Sequence, residues 1–140
     1  MKKIILDTNI ILDIALERRE FFEDAKKVMI LINQNGLSPF ITATTITDIY
    51  YILKKSKGHQ PTIAFLSGLF NFIDIAGVTK DVVLTALTSV MTDFEDAIQV
   101  ETAKLNGIDA IITRNDSDFE HSGLQVYTPD AFIQKHSVSG

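Results

Sequence analysis

The chain contains no cysteine. Disulfides and thiolate metal sites are therefore excluded, and a reducing cytoplasm suits it. Histidine is scarce: His59, His121 and His136 are scattered, without the spacing of a zinc site. There is no P-loop and no GxGxxG motif to cradle a nucleotide. No Ser-His-Asp set has a believable placement. No apolar run reaches the length of a membrane span, so no membrane partner is expected. Positive charge is also in short supply. Lys and Arg total 13 against 18 for Asp and Glu, a formal net charge of −5. Nucleic-acid binders usually carry a basic patch, so this balance counts against such a partner. The objection weakens if several of the acids bind divalent cations, because a bound cation reverses the local field.

What is present describes an ordinary folded domain. The chain has 140 residues, 46% of them hydrophobic and 22% charged. That composition argues against disorder, and the length is enough to bury a core without staples. The basic start Met1-Lys2-Lys3 leads into an apolar stretch that Asp7, Asn9 and Asp13 interrupt. It reads as a first strand rather than a leader.

Strand and helix patterns alternate along the whole chain. Lys2 to Leu6 is a β-branched-rich run of the kind found in buried parallel strands. Asn9 is a reasonable N-cap for a first helix. A second helix is expected over Phe21 to Asn33, stopped by Asn35-Gly36. Pro39 to Thr42 reads as a strand. Thr44 or Thr45 then caps a helix whose apolar stripe is Ile46, Ile49, Tyr50 and Leu53. Pro61 can open a further helix. Phe72 to Ile75, Ala110 to Thr113 and Leu124 to Tyr127 read as the remaining strands. Between the first two of these lie a helix with the stripe Val82, Val83, Ala86, Leu87 and Val90, and one capped by Thr92 running from Asp93 to Asn106. Thr128-Pro129 opens a last helix. This order predicts an α/β fold of three layers, with a central, mostly parallel five-stranded sheet. One domain over residues 1–136 is expected, followed by a disordered tail, 137–140.

Open α/β sheets bind ligands outside the carboxyl ends of their strands. Acids gather there: Asp7 after the first strand, Asp48 after the second, Asp93 and Asp96 before the fourth, Asn115, Asp116 and Asp118 after it. Hard divalent cations want oxygen ligands of this kind. Each acid also has a structural role open to it. Asp7 could cap the first helix. Asp48 follows Thr45, and Glu95 follows Thr92, at capping-box spacing, so Glu95 reads as structural. Asp116 or Asp118 could cap a turn. Asp96 shares a helical face with Val100 and Ala103, which turns it inward, where a carboxylate needs a partner.

Taken in order, Ile5-Leu6-Asp7-Thr8-Asn9, Thr44 to Tyr51, Asp93-Phe94-Glu95-Asp96-Ala97 and Ile112 to Phe119 resemble the motif blocks of PIN domains, nearest to the VapC-like toxin type. The resemblance covers nearly the whole chain. It implies a ribonuclease dependent on Mg2+ or Mn2+ that hydrolyses RNA phosphodiesters. By position, Asp7, Asp48 and Asp96 match the metal-binding acids, and Asp93 matches an acid of the third block. Asn115 falls where many relatives carry aspartate, with Asp116 and Asp118 beside it. Asp48 stands where glutamate is usual, one methylene shorter. Asp7, Asp48, Asp93, Asp96 and Asn115 are thus the candidate catalytic residues. Asp116 and Asp118 are added as candidate metal ligands. Thr8, Asn9 and Thr113 are candidates for hydrogen bonds around the substrate, and Arg114 for a phosphate clamp. The resemblance further implies a homodimer and, for a toxin, a cognate antitoxin. Two other readings stay open here. One is a PIN-like module that binds RNA or protein without cutting. The other is a phosphotransfer enzyme or receiver domain, against which stand Asn9 in place of a second aspartate and the lack of a lysine in Tyr127-Thr128-Pro129, after the last strand.

Overall fold

In a computed structural model, residues 2–137 are described. The expected tail therefore lies outside the described residues except for Ser137. Parallel strands β1 (Lys3–Leu6), β2 (Ser38–Thr42), β3 (Asp74–Ala76), β4 (Ala110–Ile112) and β5 (Gln125–Tyr127) form one sheet in the order β3-β2-β1-β4-β5. All the pairings are parallel. The helices are α1 (Thr8–Ala15), α2 (Phe22–Gln34), α3 (Ala43–Lys57), α4 (His59–Leu69), α5 (Lys80–Leu87), α6 (Phe94–Leu105) and α7 (Pro129–His136). A 3₁₀ turn, Asp116–Phe119, links β4 to β5.

The period of two along the strands builds the three layers. Ile4 and Leu6 of β1, with Ala110 and Ile112 of β4, pack against Ile10, Val28, Ile49 and Phe132 from α1, α2, α3 and α7. Ile5 and Ile111 point the other way, into Val100 and Ala103 of α6 and Phe119. The chain moves outward from β1 to β3 with its helices on one face. It then crosses back to β4 by α5 and α6 on the other. Right-handed crossovers require that exchange of faces when the direction reverses. The reversal leaves β1 and β4 as neighbours whose following loops diverge, which is the topological switch point of the sheet.

Element types follow the pattern of the sequence, but several boundaries differ. After β1 and β2 the turns from strand to helix are tighter than expected, so the residue at the strand end is itself the cap. Asp7, not Asn9, caps α1, and Thr42, not Thr44 or Thr45, caps α3. Asp93, not Thr92, caps α6. β3 begins at Asp74, because Phe72 turns out to solvent at 74% exposure. No helix among the described residues is long and apolar enough to cross a membrane.

Candidate metal and nuclease site

Asp7 sits where β1 hands over to α1, at the switch point, and is 6% exposed. A carboxylate this buried must be held by donors. Its Oδ1 accepts from the Thr8 N–H at 2.8 Å and from Gln99 Nε2 at 3.0 Å. Its Oδ2 accepts from the Thr113 hydroxyl at 2.7 Å. A carboxylate offers about four lone-pair positions, so three donors leave one open, on Oδ2. The Thr113 hydroxyl accepts in turn from the Asn115 N–H at 3.0 Å. The residues on either side of the switch point are thereby tied together.

The N-terminus of α6 brings up the next acids. Asp93 Oδ1 accepts from the Asp96 N–H at 2.9 Å. Burial raises the Asp96 carboxyl from 3.8 to about 7, with repulsion from Asp93, Asp7 and Asp118 adding to it. Charge on Asp96 is therefore felt by acids from β1, α6 and the 3₁₀ turn. Of the acids in that turn, Asp118 is the one whose charge acts on Asp96. Asp116 opens the turn and, like Asn115, is exposed.

Glu95 departs from expectation. It does not close a capping box with Thr92, since Asp93 holds the cap. A hydrogen bond to Asp48 raises its carboxyl from 4.5 to about 7, helped by burial and by repulsion from Asp48, Asp93 and Asp96. Glu95 therefore lies beside Asp48. Asp48 and its short side chain thus gain a second carboxylate alongside. Under α3, the Thr8 hydroxyl meets that of Thr45 at 3.1 Å, and Thr42 bonds to Thr45 at 3.2 Å.

Asn9 and Arg114 face a neighbouring network. Asn9 Oδ1 accepts from Arg18 Nη1 at 2.9 Å. Arg114 donates Nε to Asp13 Oδ2 at 2.8 Å and Nη2 to Asp13 Oδ1 at 3.3 Å, with its Cζ 3.8 Å from the centre of the Phe21 ring.

Three residues of this site and its neighbouring network escaped the sequence reading. Gln99 stands one turn after Asp96, on the inward face that its spacing to Val100 and Ala103 already marked. Asp13 is an acid in the apolar run Ile10 to Ala15, itself a signal that it must be paired. Glu95 was visible but assigned to a cap.

The donor set fits a hard divalent cation. All the groups are oxygens, crowded enough to hold protons that aqueous carboxyls would have lost. Gln99 Oε1, beside Asp7, is buried without a partner among the described residues, an acceptor that an ordered water would satisfy. Among the described residues no three acid or histidine side chains close a coordination sphere by themselves. Magnesium does not require that, since it keeps several waters and uses one or two carboxylates.

Comparison with known proteins agrees with this geometry. Residues 3–117 match the PIN domain, and the chain belongs to the PIN domain family. Among its relatives is a protein named Ribonuclease VapC1 from Aquifex aeolicus, 26% identical, with 96% of this chain and 95% of the relative aligned. The fold superposes on VapBC2 from Rickettsia felis, solved bound to a promoter DNA fragment, with a TM-score of 0.70 and 14% identity. That match covers 90% of this chain and 98% of the other. A toxin–antitoxin complex from Klebsiella pneumoniae matches with a TM-score of 0.66 and 25% identity, covering 89% of this chain and 96% of the other.

Proposed function

We propose that the protein is a metal-dependent endoribonuclease, the toxin of a toxin–antitoxin pair, working as a single domain over residues 1–136. The observation that carries this reading is Asp7, buried at the switch point of a PIN fold and held there by Gln99 and Thr113, with Asp93, Asp96 and Asp118 gathered about it. Asp7, Asp96 and the Asp48–Glu95 pair would hold Mg2+ or Mn2+, with Asp93 and Asp118 completing the negative shell and Asn115 and Asp116 at its rim. When bound, the cation supplies Lewis-acid stabilisation of the phosphodiester oxygens and activates water. Thr113 and Gln99 orient Asp7. The Glu95 carboxyl, raised to about 7, is suited to take a proton from the attacking water or give one to the leaving oxygen. Thr8 and Asn9 line the approach for RNA, and Arg114 borders it.

Exposed apolar surface supports protein partners. A groove of about 710 Å³ runs between α2 and α4, lined by apolar residues such as Met29, Ile30, Phe65 and Phe72. Ile30 and Phe72 are 51% and 74% exposed. Surface this apolar suits a protein partner, and we assign it to the antitoxin. Helix α5 exposes Leu84 and Leu87 and the edge strand β3 exposes Ile75, and we assign α5 to a homodimer contact. Under this reading the protein acts in the cytoplasm, with RNA.

The test is a cleavage assay on a panel of RNAs with Mg2+, Mn2+ or EDTA. The wild type is expected to cut only with a cation. Asp7→Asn is expected to lower the rate by about three orders of magnitude, the loss of several kcal/mol of cation-borne stabilisation. Cutting that survives EDTA, or that Asp7→Asn leaves intact, sinks the proposal.

A further inference from the structure

Asp13 is the most deeply buried acid among the described residues, at 1% exposure. It lies on α1, away from the acids of the candidate site, and two arginines reach it. Arg18, from the α1–α2 connection, donates Nη1 to Oδ1 at 3.2 Å. Arg114 approaches side-on and engages both oxygens. Phe21 packs flat against the Arg114 guanidinium, and its own N–H donates to the Arg18 carbonyl at 2.9 Å. One carboxylate therefore joins α1, the α1–α2 connection and the end of β4.

Burying such a group for adhesion alone is poor economy, because an apolar contact would join the same elements without the desolvation penalty. A forked guanidinium on a carboxylate adds direction instead: it fixes orientation as well as distance. What it orients is set by the chain. Arg114 stands between Thr113, whose hydroxyl holds Asp7 Oδ2, and Asn115, whose N–H fixes that hydroxyl. The Asn115 carbonyl then accepts from the Asp118 N–H at 3.0 Å, which sets the turn that carries Asp118. A shift of Arg114 moves the donor on Asp7 and the carboxylate facing Asp96 together.

We propose that Asp13 is a positioning residue for the cation site: by gripping Arg114 it holds the 113–118 segment, and with it Asp7 and Asp118, in cation-binding geometry. This rests on the proposed metal-dependent function. Arg18, the other arm on Asp13, does not adjoin that segment and serves as the internal control.

The experiment is a calorimetric titration of Mn2+ into the full chain without RNA, so that any role of Arg114 toward phosphate does not enter. Asp13→Asn and Arg114→Lys are expected to weaken Mn2+ binding by about 10- to 100-fold, the usual effect of losing an outer-shell partner. Arg18→Ala is expected to bind Mn2+ within about twofold of wild type while losing thermal stability, because its loss leaves the grip on Arg114 in place. Should Asp13→Asn fail to fold, Arg114→Lys, which keeps the charge and loses the fork, decides the matter. Wild-type affinity in Arg114→Lys, or equal losses in Arg114→Lys and Arg18→Ala, overturns the proposal and leaves Asp13 a structural ion pair. A wild type that takes up no Mn2+ overturns the metal reading itself, and this inference with it.

Discussion

Asp96 shows how one residue carries the tension of the site. Its carboxyl titrates at about 7 in the folded protein against 3.8 when free. A raised folded value means that the native state holds a proton the unfolded chain has released. Its stabilising contribution is therefore complete below about pH 3.8 and is lost as pH rises through about 7. Other groups titrate over the same range, so the informative quantity is a difference. Without metal, Asp96→Asn should melt progressively higher relative to wild type as pH goes from 4 to 7.5. Millimolar Mg2+ should shrink that advantage by stabilising the wild type alone. Melting curves that differ by a constant across this range would remove the crowding argument. The residue scale also shows the limit of spacing rules. Glu95 has capping-box spacing, yet it turns to Asp48, because Asp93 takes the cap one residue later than Thr92 would.

At the scale of elements, the ends of β1, β2 and β5 run directly into helix starts, and at Asp7 and Asp93 the same side chain caps a helix and carries charge. Asp93 is the case where the two roles can be separated. Asparagine is as good an N-cap as aspartate, whereas alanine costs about 1 kcal/mol. Asp93→Asn should thus not lower the melting temperature of the metal-free protein, and it should lower the pH at which Asp96 titrates. Asp93→Ala should lower stability by about 1 kcal/mol in urea unfolding while relieving Asp96 in the same way. If both variants lose the same stability, the cap bond at 2.9 Å is not what holds the start of α6. The element types were legible because their apolar periods are clean: Ile46, Ile49 and Leu53 in α3, and the unbroken β1 run. The cap positions were not. Whether an extended residue is the last of a strand or the first of a connection depends on how far apart the two elements pack.

For the whole molecule, the net charge of −5 and the gathered acids belong together. Without a cation the carboxyl ends of the strands repel a polyanion, and with one they attract it. Apolar surface is distributed just as unevenly. Ile75 of β3 and Leu84 and Leu87 of α5 are exposed at 48%, 50% and 64%, and none of them lines the groove between α2 and α4. We expect sedimentation analysis to show a dimer that Leu84→Glu with Leu87→Glu converts to a folded monomer. A wild type that sediments as a monomer at tens of micromolar would remove the assignment of that face.

Local chemistry was enough to determine the alternation of strands and helices, the absence of thiol chemistry, and the presence of acids after successive strands. Those are properties of short segments, set by apolar period and side-chain type. Only the tertiary structure decided which acids meet. The reversal of chain direction after β3 makes β1 and β4 neighbours, and this puts Thr113 on Asp7, Gln99 beneath it and Asp118 within reach of Asp96. It also brings Asp13 and Arg114 together across 101 residues of sequence. No local pattern encodes such pairs, because hydrogen bonds and charge act through distance in space, and strand order sets that distance.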